Sequence, residues 1–147
     1  MPRRIGRILD SESVRAYQIL VYLAYLAAGL NSLWAGSTPS VVAQSLGPVA
    51  DAGWVALVVG GPLVTFAGMR LERRHVAGLW MQLAGDCAVA CASVTYVAAV
   101  SQTVWAGRST FAVWVVLALA VCAAALVVRG VRKLRTVTRI VRRMNDE

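Results

Sequence analysis

Asp86 is the one ionisable residue placed deep inside a long apolar run, where a carboxyl is a candidate for proton or cation chemistry. It lies twelve residues beyond Arg74, about 18 Å along a helix and so near the midplane of a bilayer. A carboxylate there costs roughly 2.5–3.5 kcal/mol on insertion scales, so it must be paired, protonated or facing water. Gln82 stands four residues before it, Ser93 seven after and His75 eleven before, all within about 40° on one helical face. On the first apolar run, Gln18, Tyr22, Tyr25, Gly29 and Ser32 recur by four and three, a second semi-polar seam. Tyr22 and Tyr25, in the middle of that run, are the natural hydrogen-bond donors to Asp86, for which no basic partner is expected. Two readings follow: buried interhelical hydrogen bonds that hold a bundle together, or a protonatable or ion-binding site lining a pathway.

The elements that position these residues are announced by charge. Arg3, Arg4, Arg7 and Arg15 precede the first apolar stretch, Arg70, Arg73 and Arg74 separate the second from the third, and seven more basic residues follow the fourth. Arg108 alone lies in the other two connections. Short loops rich in Lys and Arg stay on the cytoplasmic side, so the alternation predicts four spans of the cytoplasmic membrane with both termini on its cytoplasmic side. The stretches 14–34, 49–69, 76–100 and 110–128 are each close to the roughly 20 residues that cross a hydrocarbon core. The expected fold is all-α, an up-down-up-down bundle of four transmembrane helices (14–128) between a basic lead-in (1–13) and a basic tail (129–147). Removing the first stretch as a signal peptide is not expected, because it exceeds the roughly 7–15 apolar residues of such leaders. Gly60-Gly61-Pro62 predicts a kink in the second span, since proline removes a helical hydrogen bond. Residues 35–48 read as an outer loop with a short surface helix over 40–46.

The tail has its own pattern. Val131, Leu134, Val137, Val141 and Met144 recur every three or four residues, opposite Arg132, Arg135, Arg139, Arg142 and Arg143. With Lys133 these basic residues form the lipid-facing side of an amphipathic helix lying on the inner leaflet, or of one continuing into the cytoplasm to meet a partner. Gly130 permits a bend at the junction. The net charge of +8 is read as orientation and attraction to an anionic leaflet, not as a nucleic-acid surface.

Several function classes find no residues. The chain has no zinc-protease, serine-hydrolase or phosphate-loop motif and no paired-cysteine redox spacing, so neither enzyme, metal site nor cofactor is expected. Cys87, Cys91 and Cys122 read as small apolar packing residues, and Asp51, at the outer end of the second span, as exposed. Ala84/Ala88/Ala92 and Gly85/Val89/Ser93 give the third span small-residue strips that let helices approach, within the chain or between copies.

Three segments carry a family resemblance: Leu9-Asp10-Ser11-Glu12-Ser13-Val14-Arg15-Ala16-Tyr17, Gly78-Leu79-Trp80-Met81-Gln82-Leu83-Ala84-Gly85-Asp86, and Phe111-Ala112-Val113-Trp114-Val115. With them the chain resembles small four-span membrane proteins of actinobacterial tailed phages and prophages, over most of its length. The resemblance implies a holin-like protein that self-associates in the inner membrane and permeabilises it for lysis, and it carries over no site residue. The residues themselves also allow a small proton- or ion-coupled transporter or channel using Asp86. A third possibility is an adaptor or superinfection-exclusion protein acting through its tail on a cytoplasmic or membrane partner.

Overall fold

The computed structural model describes residues 12–36, 40–72, 75–101 and 110–145, with side chains over 14–36, 47–72, 75–101 and 114–139. These residues form four helices: α1 (Glu12–Ala35), α2 (Ser40–Leu71), α3 (Ala77–Ser101) and α4 (Thr110–Asn145). Each contains a segment of 22 to 26 residues long and apolar enough to cross a membrane. Of the basic residues that define the charge pattern, Arg3, Arg4, Arg7, Arg73, Arg74 and Arg108, and the side chains of Arg142 and Arg143, lie outside the described residues.

Local sequence sets the helix ends. α1 stops at Gly36, whose φ of 60° is the left-handed conformation glycine adopts after a helix. Within α2 the residue with non-helical dihedrals is Gly47, at φ 72° and ψ 168°. Pro48 disfavours helical geometry in the residue before it, and glycine tolerates the conformation that results. The break divides the short segment beginning at Ser40 from the span Gly47–Leu71. Through Gly60-Gly61-Pro62 the backbone keeps helical dihedrals, and Pro62 is fully buried. Between α2 and α3 the chain turns through His75, whose N–H donates to Leu71 O and whose carbonyl accepts from Gly78 N–H.

The most extensive contact is between α2 and α3, followed by α3 with α4 and α1 with α2. On α3 the buried residues are Gly78, Leu79, Gly85, Asp86, Val89, Ala92, Ser93, Ala99 and Val100. They repeat every seven residues, the period that keeps one face of a helix against its neighbours. Glycines on both partners carry the α2–α3 contact. A Cβ at Gly68 would sit 2.7 Å from Gln82 N, and one at Gly85 2.6 Å from Gly61 O. Around this pair a small core gathers Tyr22, Val89 and Ala123, with Tyr25, Phe66 and Leu126 against it.

α1 and α4 lie outside. Only 17% of the α1 span and 11% of the α4 span is buried, against 39% of α3. Leu20, Leu23, Leu30 and Leu33 of α1 and Trp114, Val121 and Val128 of α4 are exposed. α4 continues through Gly130 without a break in helical geometry, and its 36 residues extend about 54 Å. Its basic portion is not detached: Leu134 is buried, and a Cβ at Gly130 would meet Leu83 at 3.2 Å.

Candidate functional site

The heptad face of α3 turns Asp86 and Ser93 into the bundle, where both are buried. Three donors from two other helices converge on Asp86 Oδ1. Tyr22 O–H donates at 2.7 Å, Gln18 Nε2 at 3.0 Å and, more loosely, Thr65 Oγ1 at 3.5 Å. Each of these bonds would be lost to an apolar replacement of Asp86. Tyr22 is placed edge-on to Phe66, ring centroids 6.4 Å apart, which fixes the phenol on its apolar side.

One turn along, Tyr25 pairs with Ser93 at 2.6 Å. Ser93 Oγ also lies 2.8 Å from Val89 O, to which it donates. A hydroxyl has one proton, so Tyr25 is the donor and Ser93 the acceptor. Tyr25 therefore does not reach Asp86, contrary to the expectation that both tyrosines donate to it.

Gln82 departs from the expected stripe as well. Its Nε2 donates at 2.7 Å to Glu72 Oε2, not to Asp86. The same carboxylate accepts from Arg15 Nη2 at 2.9 Å and forms an ion pair with Lys133. Glu72 thus joins residues of α1, α3 and α4 at the end of α2. Burial pushes its carboxyl upward, but hydrogen bonds from Lys133 and Gln82 and the charges of Lys133 and Arg15 outweigh that and hold it below the ordinary carboxylate range. Lys133 is accordingly committed in part to this cluster rather than to lipid alone. Arg132, Arg135 and Arg139 are exposed along the same helix.

Asp86 and the Glu72 cluster are linked by a narrow cavity of about 40 Å³, lined by Gln18, Gln82, Asp86, Arg15, Arg129 and Lys133 among others. The hydrogen-bond donors seen on Asp86 are neutral, and the ion pairs of Arg15 and Lys133 go to Glu72. Basic side chains of α1 and α4 share the cavity of Asp86, because α4 runs straight past Gly130 and returns its charges to the bundle.

His75 is exposed in the turn, off the polar stripe. Asp51 is half-buried rather than exposed. Cys87, Cys91 and Cys122 are free thiols on the surface rather than packing residues. Among the described residues no group of three or more His, Cys, Asp or Glu side chains is arranged to hold a metal ion.

Thr65 and Glu72 are the site residues that sequence reasoning missed. Thr65 and Asp86 are nearly equidistant from the turn at His75, so folding α2 back on α3 would have paired them. Glu72 is an acid set among Arg70, Arg73 and Arg74, which signals an ion-pair hub in a basic loop. Comparisons with protein-family models, with curated proteins and with solved structures find no match.

Proposed function

We propose that this chain is a multi-pass protein of a bacterial cytoplasmic membrane, with both termini cytoplasmic, that acts in a holin-like way by permeabilising the membrane in phage lysis. Four long apolar helices support the membrane location. An up-down-up-down course is supported by the meeting, at Glu72, of the start of α1, the end of α2, the start of α3 and the basic part of α4. Its alternating basic loops set the orientation.

The observation that carries the mechanism is the way Asp86 is sealed. Two of its three donors, Gln18 and Tyr22, belong to α1, one of the two lightly buried helices. In the sealed bundle the polar face of α3 is hidden from lipid. Release of α1 would uncover Asp86 and Ser93 together, and such a face favours water over hydrocarbon. Self-association cannot use the Gly85-Val89-Ser93 strip, which α1 and α2 already cover. Ala84, Cys87, Cys91, Val94 and Ala98 are exposed at intervals of three and four, an outward small-residue face suited to contact between copies.

The test is controlled expression of the intact chain in bacteria, following culture density and membrane potential. The expected result is sudden collapse after a delay, with Tyr22→Phe shortening the delay and Cys91 cross-linking copies before collapse. Undisturbed growth with full insertion would sink the lysis reading. A second reading, a proton- or cation-coupled pathway, is favoured by the cavity that reaches Asp86 from the Glu72 end. It requires a tolerated protein with a pH-dependent flux abolished by Asp86→Asn.

A further inference from the structure

Two adjoining cavities lie in the seam between α1 and α4, floored by α3 and, in the smaller, also by Met69 of α2. The larger is an almost wholly apolar groove of about 350 Å³, walled by Val14 and Val21 of α1 and by Leu119, Cys122 and Leu126 of α4. The smaller is the charged cavity that contains Arg15, Arg129 and Lys133. Gln18 and Leu126 line both, so the apolar groove opens onto the basic cluster.

We propose that this seam binds one anionic phospholipid of the inner leaflet, with an acyl chain in the groove and the phosphate against Arg15, Arg129 and Lys133. The groove's volume falls in the range of roughly 300–1,000 Å³ usual for ligand pockets. Arg15 and Lys133 each spend one interaction on Glu72, yet their side chains are 50% and 46% exposed. Guanidinium has five N–H donors and ammonium three, so both retain donors for a phosphate. Among the described residues Arg15, Arg129 and Lys133 gather around two acids, Glu72 and Asp86, and Arg132 adds an exposed charge on the next turn. Basic pockets between transmembrane helices on the cytoplasmic side suit anionic head groups. A zwitterionic lipid would present its own cation to this cluster. A second copy seated symmetrically on the seam would bring the two basic clusters towards one another.

The inference rests on the membrane reading, and the two fail separately. If alkaline carbonate strips the chain from membranes, the membrane reading falls. For an integral chain, purified whole in mild detergent, native mass spectrometry would compare phosphatidylglycerol with phosphatidylcholine of matched acyl chains. One retained phosphatidylglycerol per chain is expected, in preference to phosphatidylcholine. Arg129→Gln should lower its occupancy about fivefold, Cys122→Trp should displace it by filling the groove, and Arg139→Gln on the exposed tail should leave it bound. Equal retention of the two lipids, or equal loss from Arg129→Gln and Arg139→Gln, would overturn the site in favour of unspecific surface charge. Efficient Cys122 cross-linking between copies in a Cys87→Ser, Cys91→Ser background would overturn it in favour of a protein occupant.

Discussion

α2 and α3 are joined by close backbone approach, whereas α1 is joined to them largely by polar side chains. At the first interface Gly68 and Gly85 leave no room for a Cβ and one at Gly61 would be tight against Val89 and Ala88, and van der Waals packing between closely apposed helices is one of the main attractions available in lipid. At the second, Tyr22, Gln18, Tyr25 and Arg15 reach across to Asp86, Ser93 and Glu72. Close packing is spread over many atoms and fails all at once when overfilled. A few hydrogen bonds can be removed one at a time, so α1 is the helix whose attachment can be tuned. The contrast is not absolute, since Gly29 of α1 also lies close to Val58 and Val59.

The largest effect belongs to the packed interface. Gly85→Leu would drive its side chain into Thr65 and the Gly61 carbonyl, and overpacking of this kind costs about 3 kcal/mol or more. Denaturation in mixed detergent, followed by circular dichroism, should show a loss of that size or no folded bundle. Gly53→Ala, where no atom lies within 4 Å of the added carbon, should show no loss. Equal tolerance of both substitutions would mean that α2 and α3 do not pack through their glycines.

The polar interface should respond more mildly. Asp86→Ala leaves Tyr22 and Gln18 without their acceptor, and hydrogen bonds between membrane helices average about 0.6 kcal/mol with a maximum near 1.7. A loss of about 1–2 kcal/mol is expected for Asp86→Ala and about 0.6 kcal/mol for Tyr22→Phe. A double-mutant cycle sharpens the geometry. Tyr22→Phe should couple to Asp86→Ala, whereas Tyr25→Phe should be additive with it because Tyr25 bonds Ser93. Coupling of Tyr25 to Asp86 would contradict this division of labour.

Sequence alone locates the four apolar helices because hydrophobic length and charge are local properties. It also finds Asp86, Tyr22 and Ser93, since a polar group inside an apolar run must find a partner. Partner choice is less legible. Helical periodicity places Gln82 on the same face as Asp86, but a glutamine side chain is long enough to reach Glu72 at the turn, and it does. Periodicity offers Tyr25 to the acid because no helix register relates α1 to α3 in sequence, and a shift of one turn exchanges its partner for Ser93. The strip of small residues on α3 is recognisable, while its occupant is not. Gly85 meets α2 of the same chain, and Ala84 faces outward. Such choices depend on the relative rotation of helices, which only tertiary packing determines.

The smallest effect concerns Glu72, which ties the end of α2 to α1, α3 and α4. Its carboxyl is held below the ordinary range when folded, despite the upward push of burial, by Lys133, Gln82 and Arg15. A depressed folded value means the unfolded chain binds the proton more readily. The contribution is therefore fully present above the ordinary glutamate value of about 4.3 and is lost as pH falls through the lower folded value. Melting temperatures measured from pH 7 down to about pH 3 should decline in the acid limb, and Glu72→Gln should remove part of that decline. Arg15 and Lys133 are about half exposed, so solvent screening limits the difference to at most about 1 kcal/mol. High salt should reduce it further. Identical acid limbs for the two proteins would show that the ionised Glu72 adds nothing to the attachment of α1.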